Sequence, residues 1–307
     1  MNKLVSIIVP TYNRCTQTIA CIKSLVSISY DNYDIIVVDN GSVDDTVSSI
    51  KKQFPGIILI ELSYNTGAVG ARNEGMKHAR GDYFCFVDCD NIVDKEFLGE
   101  LVSLAETDEK IGFVGPKMYY LREPERIWCA GVKINLLTSR TTYIGLNEIE
   151  EGQYNIVRET DQIPNVWLVK RKVVNTIGIM DDVYVMSYGE SDWPMRAWRA
   201  GYKSLICPSS IVFHDIDPPK NTKENIMLRG TPYRTYYFAR NRAIFMKKFA
   251  TKTNYIIFCL LFNNIFFLLY ITTFIYYRKF DLVKSYIKGF IDGFSKACSS
   301  NRITTGT

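Results

Sequence analysis

Two aspartates one residue apart, Asp88 and Asp90 in the stretch FVDCDNIV, are the first place in this chain where reactive groups concentrate. They close an apolar run that reads as a buried strand. In extended backbone the side chains alternate with period 2, so both carboxylates would project to one side. Like charges that close repel unless a cation sits between them. A divalent metal holding a polyphosphate would relieve the repulsion; an Asp-rich turn that simply ends a strand in solvent is the plainer alternative.

The surrounding elements weigh between these two. LVSIIV, residues 4–9, is a short β-branched run ended by Pro10 and reads as a buried strand, followed by a helix with Ile19, Ile22, Leu25 and Val26 on one side. YDIIVVDNGSVDDT, residues 33–46, repeats the strand and turns at Asn40, Gly41 and Ser42 into a second helix. GIILIEL (56–62) is a third strand, NTGAVGARNEGMKHARG (65–81) a loop and helix, and DYFCFVDCD a fourth strand. This alternation predicts an α/β fold, a mostly parallel, Rossmann-like sheet covered by helices. Ligands of such sheets bind beyond the carboxyl ends of the strands. Pro10, Tyr12 and Asn13 follow the first strand, Asp39 to Ser42 the second, Asn65 to Gly67 the third and Asp88 to Asp90 the fourth. All the polar clusters therefore fall on one edge, whereas solvated turns would scatter over both.

From 107 to about 170 the pattern loosens into shorter extended pieces, IGFVG, IWCAGVKI and NVWLVKR, joined by polar connections. SYGESDWPMRAWRAGYKSLICPSSIVFHD, residues 187–215, then reads as a turn, a helix, a strand near Ser204 to Cys207 and a second strand ending at His214.

With 307 residues, 47% of them apolar and 22% charged, the composition is that of a globular protein with a sizeable core. The net charge of +5 is mild and the basic residues thicken toward the C-terminal third, so no nucleic acid partner is expected. Eight cysteines without a C-x-x-C pair, and only His78 and His214 as histidines, point away from a zinc cluster and toward reduced thiols facing the cytosol. The opening MNKLVSIIVPTYNR has too short an apolar run for a signal peptide, which speaks against export by that route. One region departs from the soluble pattern. Tyr255 to Tyr277 is 23 residues without a charge, enough as a helix to cross a hydrocarbon core of about 30 Å. Asn263 and Asn264 interrupt it, and basic residues flank both ends, Lys248 and Lys252 before it and Arg278 and Lys279 after it. A spanning helix keeps most of its flanking charge on one side. Two basic flanks also fit a helix lying in the interface against anionic lipid, or a partner-assisted dip into the bilayer.

Six segments carry a resemblance in order: VSIIVPTYNR, IIVVDNGSVDDT, NTGAVGARNEGMKHARGDYFCFVDCD, GESDWPMRAWRAGY, VFHD and YRTYYFARNRAIF. Across residues 4–248 the chain resembles nucleotide-sugar glycosyltransferases of family 2 with the GT-A fold, especially their rhamnosyltransferase-like branch. The resemblance implies inverting transfer of a sugar from a nucleoside diphosphate to an acceptor hydroxyl, usually with a divalent metal. Mg²⁺ or Mn²⁺ suits that chemistry, because it stabilises the departing diphosphate and takes oxygen ligands. By the same resemblance Asp90 would ligate the metal, His214 would reach the metal or the diphosphate, and Asp88 would face the metal or the ribose. Asp39 would recognise the base and Arg72 the base or phosphates, with Pro10, Tyr12, Asn13, Asn65 and Gly67 lining the donor pocket. An Asx turn is an equally compatible role for Asp39.

The attacking hydroxyl must lose a proton, so a carboxylate base is needed on the acceptor side. Glu190 and Asp192 are the candidates. Ser191 is expected to cap a helix whose first turn tolerates Pro194, leaving Glu190 in the preceding loop. Asp192 lies four residues before Arg196, an ion-pair spacing. Glu190 is thus the better base and Asp192 the better scaffold, although the family usually places Glu-Asp where Gly189-Glu190 stands here.

The expected organisation is a GT-A domain over 1–250, its nucleotide-binding half 1–106 and acceptor-side half 107–250, followed by a membrane-associated segment and basic tail over 251–307. The aromatic and basic run from Tyr233 to Arg242 suits a headgroup boundary. Expected partners are a nucleoside diphosphate sugar, a glycan or lipid-linked acceptor and membrane lipid, at the cytoplasmic face of a membrane. Two rivals remain. A sugar-phosphate nucleotidyltransferase would open with a Gly-rich loop where PTYNR stands, and an inactive, membrane-tethered homologue would bind only nucleotide or a partner enzyme.

Overall fold

A computed structural model describes residues 2–218 and 230–299. The end of the expected basic tail, 300–307, lies outside the described residues, as does the Cys298 side chain. The chain divides into two compact units.

The first unit comprises Met1–Lys133, Tyr143–Asp182 and Glu190–Pro218. Its first part runs β1 (Val5–Thr11), α1 (Cys15–Leu25), β2 (Tyr33–Asp39), α2 (Thr46–Gln53), β3 (Ile58–Glu61), α3 (Gly67–His78) and β4 (Tyr83–Val87). There follow β5 (Asn91–Val93), α4 (Phe97–Glu106), β6 (Ile111–Tyr120), β7 (Glu123–Cys129), β8 (Val132–Ile134), β9 (Thr141–Tyr143), β10 (Arg158–Glu159), β11 (Val166–Lys170), α5 (Arg171–Ile177), α6 (Gly189–Arg199) and β12 (Lys203–His214), with Ile134, Thr141, Thr142 and Gly189 counted in the second unit. Among the described residues ten strands form one sheet, ordered β10-β12-β6-β11-β4-β1-β2-β3, with β5 on β12 and β7 on β6. β4, β1, β2 and β3 are parallel neighbours, as are β6 and β12, and β11 runs opposite between β4 and β6. The sheet is therefore mostly parallel, as expected. Val5 to Val9, Ile35 to Val38 and Tyr83 to Val87 are buried, as β-branched and aromatic runs must be when both faces are covered.

Two strand boundaries differ from the sequence reading. β1 runs through Pro10 to Thr11; its ladder with β4 has already ended at Ile8 and Phe86, so the ring sits near the strand's free end. The two strands expected within 204–214 are one, β12, with a bulge between Cys207 and Ile211. Pro208 breaks the pairing locally and the strand resumes, because Ser210 Oγ ties the bulge to the Phe97 carbonyl at 2.9 Å.

The second unit comprises Ile134–Thr142, Val183–Gly189 and Pro219–Thr307. Its helices are α7 (Pro232–Phe249), α8 (Lys252–Ile257), α9 (Asn263–Tyr276) and α10 (Phe280–Ser299), with a π turn, Phe258–Phe262, between α8 and α9. Thr231 caps α7 by accepting from the Arg234 amide, and Pro232 occupies the first turn, where its missing N–H costs nothing. α8, the π turn and α9 form one 25-residue helix, long and apolar enough to cross a membrane by length and composition. α10 lies close on α7: a Cβ on Gly289 would stand 2.2 Å from the Tyr236 carbonyl oxygen, and one on Gly293 2.6 Å from that of Arg240.

Candidate active site

Loops at the carboxyl ends of β1, β2 and β3 are knitted together by short polar side chains. Asn13, at φ 50°, accepts from the Val43 amide through Oδ1 at 2.8 Å, while its own amide donates to Ser42 Oγ at 2.8 Å. Asn40 is the hub. Its Nδ2 donates to Asn65 Oδ1 and to the Gly67 carbonyl, both at 3.1 Å, and its Oδ1 accepts from the Thr66 amide at 2.8 Å. Asn65 Oδ1 also accepts from the Gly67 amide, and Gly67 starts α3 at φ 80°, a conformation that L side chains rarely take. In the sequence Asn40 reads only as part of a turn; nothing local reveals that its side chain ties the end of β2 to the loop after β3.

Asp39 ends β2 and is buried. One oxygen accepts from the Ser42 amide three residues on at 2.9 Å, one residue further than an Asx turn would reach; the other is buried with no partner. Leaving a buried carboxylate oxygen unpaired is costly, so Oδ1 is suited to a donor group of a bound ligand. Pro10 lies within β1 and Tyr12 just beyond it, half-exposed.

The side-by-side geometry expected for Asp88 and Asp90 does not occur. β4 ends at Val87, and a turn in which the Asn91 amide donates to the Asp88 carbonyl replaces extended backbone, so the period-2 argument lapses. Each carboxylate finds its own partner. Asp88 Oδ1 accepts from Arg72 Nη2 at 2.5 Å, and the same nitrogen lies 3.0 Å from Glu190 Oε1. Arg72 is buried in the middle of α3 with its guanidinium 4.7 Å above the Trp167 ring. Burial pushes the Asp88 carboxyl up to about 6 against the pull of Arg72, with the neighbouring charges of Glu190 and Asp90 adding to the rise.

Asp90 turns the other way. Its Oδ2 is 3.6 Å from His214 Nε2, at the end of β12. Burial would raise this carboxyl, but the His214 contact outweighs it and the pKa is lowered. His214 Nε2 is also 3.0 Å from Asn165 Nδ2, Trp128 packs edge-on against the ring at 4.5 Å, and Nδ1 is buried without a partner. Neither Asn165 nor Trp128 was anticipated, since both arrive from distant strands and loops.

Glu190 lies in the first turn of α6, not in the loop before it. The helix begins three residues earlier than a Ser191 cap would allow, because the Ser191 hydroxyl is committed to Gln162 Oε1 at 2.7 Å. Pro194 accordingly falls inside the helix. Asp192 pairs with Arg196 at 2.8 Å, and Arg196 in turn donates to the carbonyls of Ile177 and Ile179. Trp193 lies edge-on to Phe86 and Phe113 and donates to the Gly178 carbonyl at 2.8 Å. These contacts fix α6 and so fix Glu190.

Among the described residues no three His, Cys, Asp or Glu side chains gather into a metal-holding cluster. Mg²⁺ and Mn²⁺ in phosphate-transfer sites use one or two side chains plus phosphate and water. Asp90 and His214 supply a carboxylate and an imidazole facing each other, a donor set that fits; Asp88, engaged by Arg72, stands apart from them.

Residues 6–178, more than half of the chain, match Glycosyl transferase family 2. Asp39, Arg72, Asp88 and Asp90 fall inside the match, and Glu190, Asp192 and His214 beyond it. The chain is 39% identical over 123 residues to an Escherichia coli UDP-Glc:alpha-D-GlcNAc-diphosphoundecaprenol beta-1,3-glucosyltransferase, WfaP, over 39% of this chain and 48% of that protein. The chain spans less than half the length of the curated relatives it matches. Among solved structures it is similar to GalNAc-T7 with UDP, GalNAc and Mn²⁺, at a TM-score of 0.59 and 14% identity over 78% of this chain and 51% of that one. It is also similar to the mannosyltransferase PcManGT of Pyrobaculum calidifontis with GDP-Man and Mn²⁺, at 0.54 and 14% over 96% and 77%. At these identities the likeness establishes the fold, the GT-A type.

Proposed function

Because the chain belongs to glycosyl transferase family 2, we propose that it moves a sugar, with inversion, from a nucleoside diphosphate sugar to a hydroxyl of a lipid-linked or membrane-proximal glycan. The finer reading is hexosyl or rhamnosyl transfer in cell-surface polysaccharide or glycolipid assembly. The E. coli relative is named for a diphosphoundecaprenol acceptor and the two similar structures hold UDP and GDP-Man, which supports the donor and acceptor classes.

The observation that carries the reading is the Arg72 bridge. One guanidinium nitrogen holds Asp88 on the donor edge and Glu190 at the start of α6. Asp39 would take a donor group of the base through its unpaired oxygen, with the Asn13, Asn40 and Asn65 loops fixing the nucleotide pocket. Asp90 and His214 would hold Mg²⁺ or Mn²⁺; when bound, the ion offsets the charge that grows on the departing diphosphate. Glu190, held in position by Arg72, accepts the proton of the acceptor hydroxyl as it attacks the anomeric carbon from the face opposite the leaving group. Asp192 acts through Arg196 as a positioning residue. The C-terminal apolar helix keeps the enzyme at the cytoplasmic face of the membrane where such acceptors lie.

The test is a thermal-shift screen of UDP-, GDP- and dTDP-sugars with Mn²⁺, followed by transfer assays with the stabilising donor, because a bound donor stabilises the folded form by mass action. Expected is stabilisation by one nucleotide class and release of its diphosphate in the presence of acceptor. Stabilisation without any turnover would favour the inactive, nucleotide-binding homologue; no stabilisation by any of them would overturn the donor assignment.

A further inference from the structure

The 25-residue helix Lys252–Tyr276 is about 37 Å long at the α-helical rise, enough to cross a bilayer. Its two faces argue otherwise. Ile257, Leu261, Ile265, Leu268, Leu269 and Ile275 are exposed along its length. On the opposite face Phe267 and Tyr270 stack on Phe290 and Tyr286 of α10, and Phe274 is buried with Ala239 of α7 and Tyr286. α9 and α10 thus run antiparallel as a hairpin on α7.

The covering helices are not bilayer-compatible. Arg242 of α7 is buried with its guanidinium over Phe238 and over Phe266 of the apolar helix, at 4.7 and 4.6 Å. α10 presents exposed Lys284 and Lys288, and its Asp292 accepts from Tyr236 at 2.7 Å. If α9 crossed the membrane, these helices would travel into hydrocarbon beside it, carrying an arginine, lysines and an aspartate.

The π turn fits the same conclusion. It adds one residue to the helical repeat, about 100° of phase, and this brings the exposed residues before it, Ile256 and Leu260, into line with Leu268 and Ile275 after it. Asn264, at first sight a polar interruption, donates to the Cys259 and Leu260 carbonyls at 2.9 and 3.0 Å and so satisfies the backbone of the widened turn.

We propose that the helix Lys252–Tyr276 lies in the plane of one leaflet, sinking its exposed stripe into the acyl boundary while Lys284 and Lys288 of α10 meet anionic lipid headgroups. Ile287 and Ile291 share the groove of those lysines, and Lys252, Arg278 and Lys279 mark the two ends of the stripe with positive charge. An amphipathic surface of this kind binds anionic interfaces by buried apolar area plus charge. The inference rests on the membrane attachment proposed above and specifies its geometry.

The full chain carrying Thr253→Cys or Lys279→Cys is expressed, and inverted membrane vesicles are treated with an impermeant maleimide, the unsubstituted chain serving as the background. An in-plane helix leaves both new cysteines reactive without detergent. Protection of either one until detergent is added would overturn the in-plane geometry and leave attachment standing. Recovery of the chain in the soluble fraction would overturn attachment itself. Two further variants probe the surface. Leu268→Glu, on the exposed face, is expected to release the chain with an unchanged melting temperature, and full retention would contradict the stripe. Lys284→Glu with Lys288→Glu is expected to weaken binding to phosphatidylglycerol-containing vesicles about fivefold per lysine and leave pure phosphatidylcholine vesicles unaffected. An equal loss on both would refute the headgroup contact.

Discussion

The carboxyl edge of the sheet and the C-terminal helices solve opposite problems. At the sheet edge charged and amide side chains are buried and nearly all are paired: Asp88 with Arg72, Asp90 beside His214, Asn40 with the loop after β3. In the helical unit apolar side chains are exposed, Leu260 and Leu268 among the most open in it, while an arginine is buried. Both choices carry a cost, since exposed contiguous apolar surface and buried charge are each unfavourable in water. On the function proposed, each region answers to something outside the chain, a charged ligand in one case and a lipid surface in the other.

The sharpest way to break the comparison is at Glu190. Glu190→Gln should lower transfer by about 10²- to 10⁴-fold, the usual weight of a general base, while donor affinity and melting temperature stay close to those of the unmodified chain. Near-normal turnover would remove Glu190 from the chemistry and leave its contact with Arg72 as architecture. Asp192→Ala should do the reverse. Breaking the buried pair with Arg196 should cost about 3 kcal/mol or more of stability, visible as a lowered denaturation midpoint; activity lost with the midpoint unchanged would instead make Asp192 the base. Smaller again is Asp90→Asn, expected to raise the Mn²⁺ concentration for half-maximal donor binding about tenfold or more, roughly 1.4 kcal/mol. An unchanged titration would take Asp90 out of the metal's reach and leave the pairing with His214 purely structural.

The two regions also differ in how far the residues announce them. β1 to β4 and the polar clusters after them are legible because local patterns, β-branched runs ending in Asn, Asp and Gly, encode both strand and turn. The pairing of Arg72 with Glu190 is not, since it joins residues more than a hundred positions apart through a fold that no local pattern specifies. Local rules failed where a tertiary partner outbid them. Ser191 prefers Gln162 to a cap, the turn after Val87 parts Asp88 from Asp90, and Ser210 carries β12 across the bulge at Pro208. In the helical unit composition located the apolar segment, but only the packed face showed that it has two sides.

Asn264 joins those two sides and gives the smallest effect. Asn264→Leu removes the amide that serves the Cys259 and Leu260 carbonyls, groups that in hydrocarbon or at its boundary have no water to replace it. In solution the expected loss is modest, about 1 kcal/mol for one side chain's hydrogen bonds, because the amide is exposed and water reaches the same carbonyls. On vesicles the outcome should differ. Without its side-chain support the π turn relaxes toward a regular α-helix, rotating the residues before it by one position against those after it, and the stripe splits into two offset halves. Vesicle affinity should then fall although apolarity has risen, which a helix bound by overall hydrophobicity would not do. Stronger binding by Asn264→Leu, measured by cosedimentation, would show that the π turn does not set the phase of the exposed face.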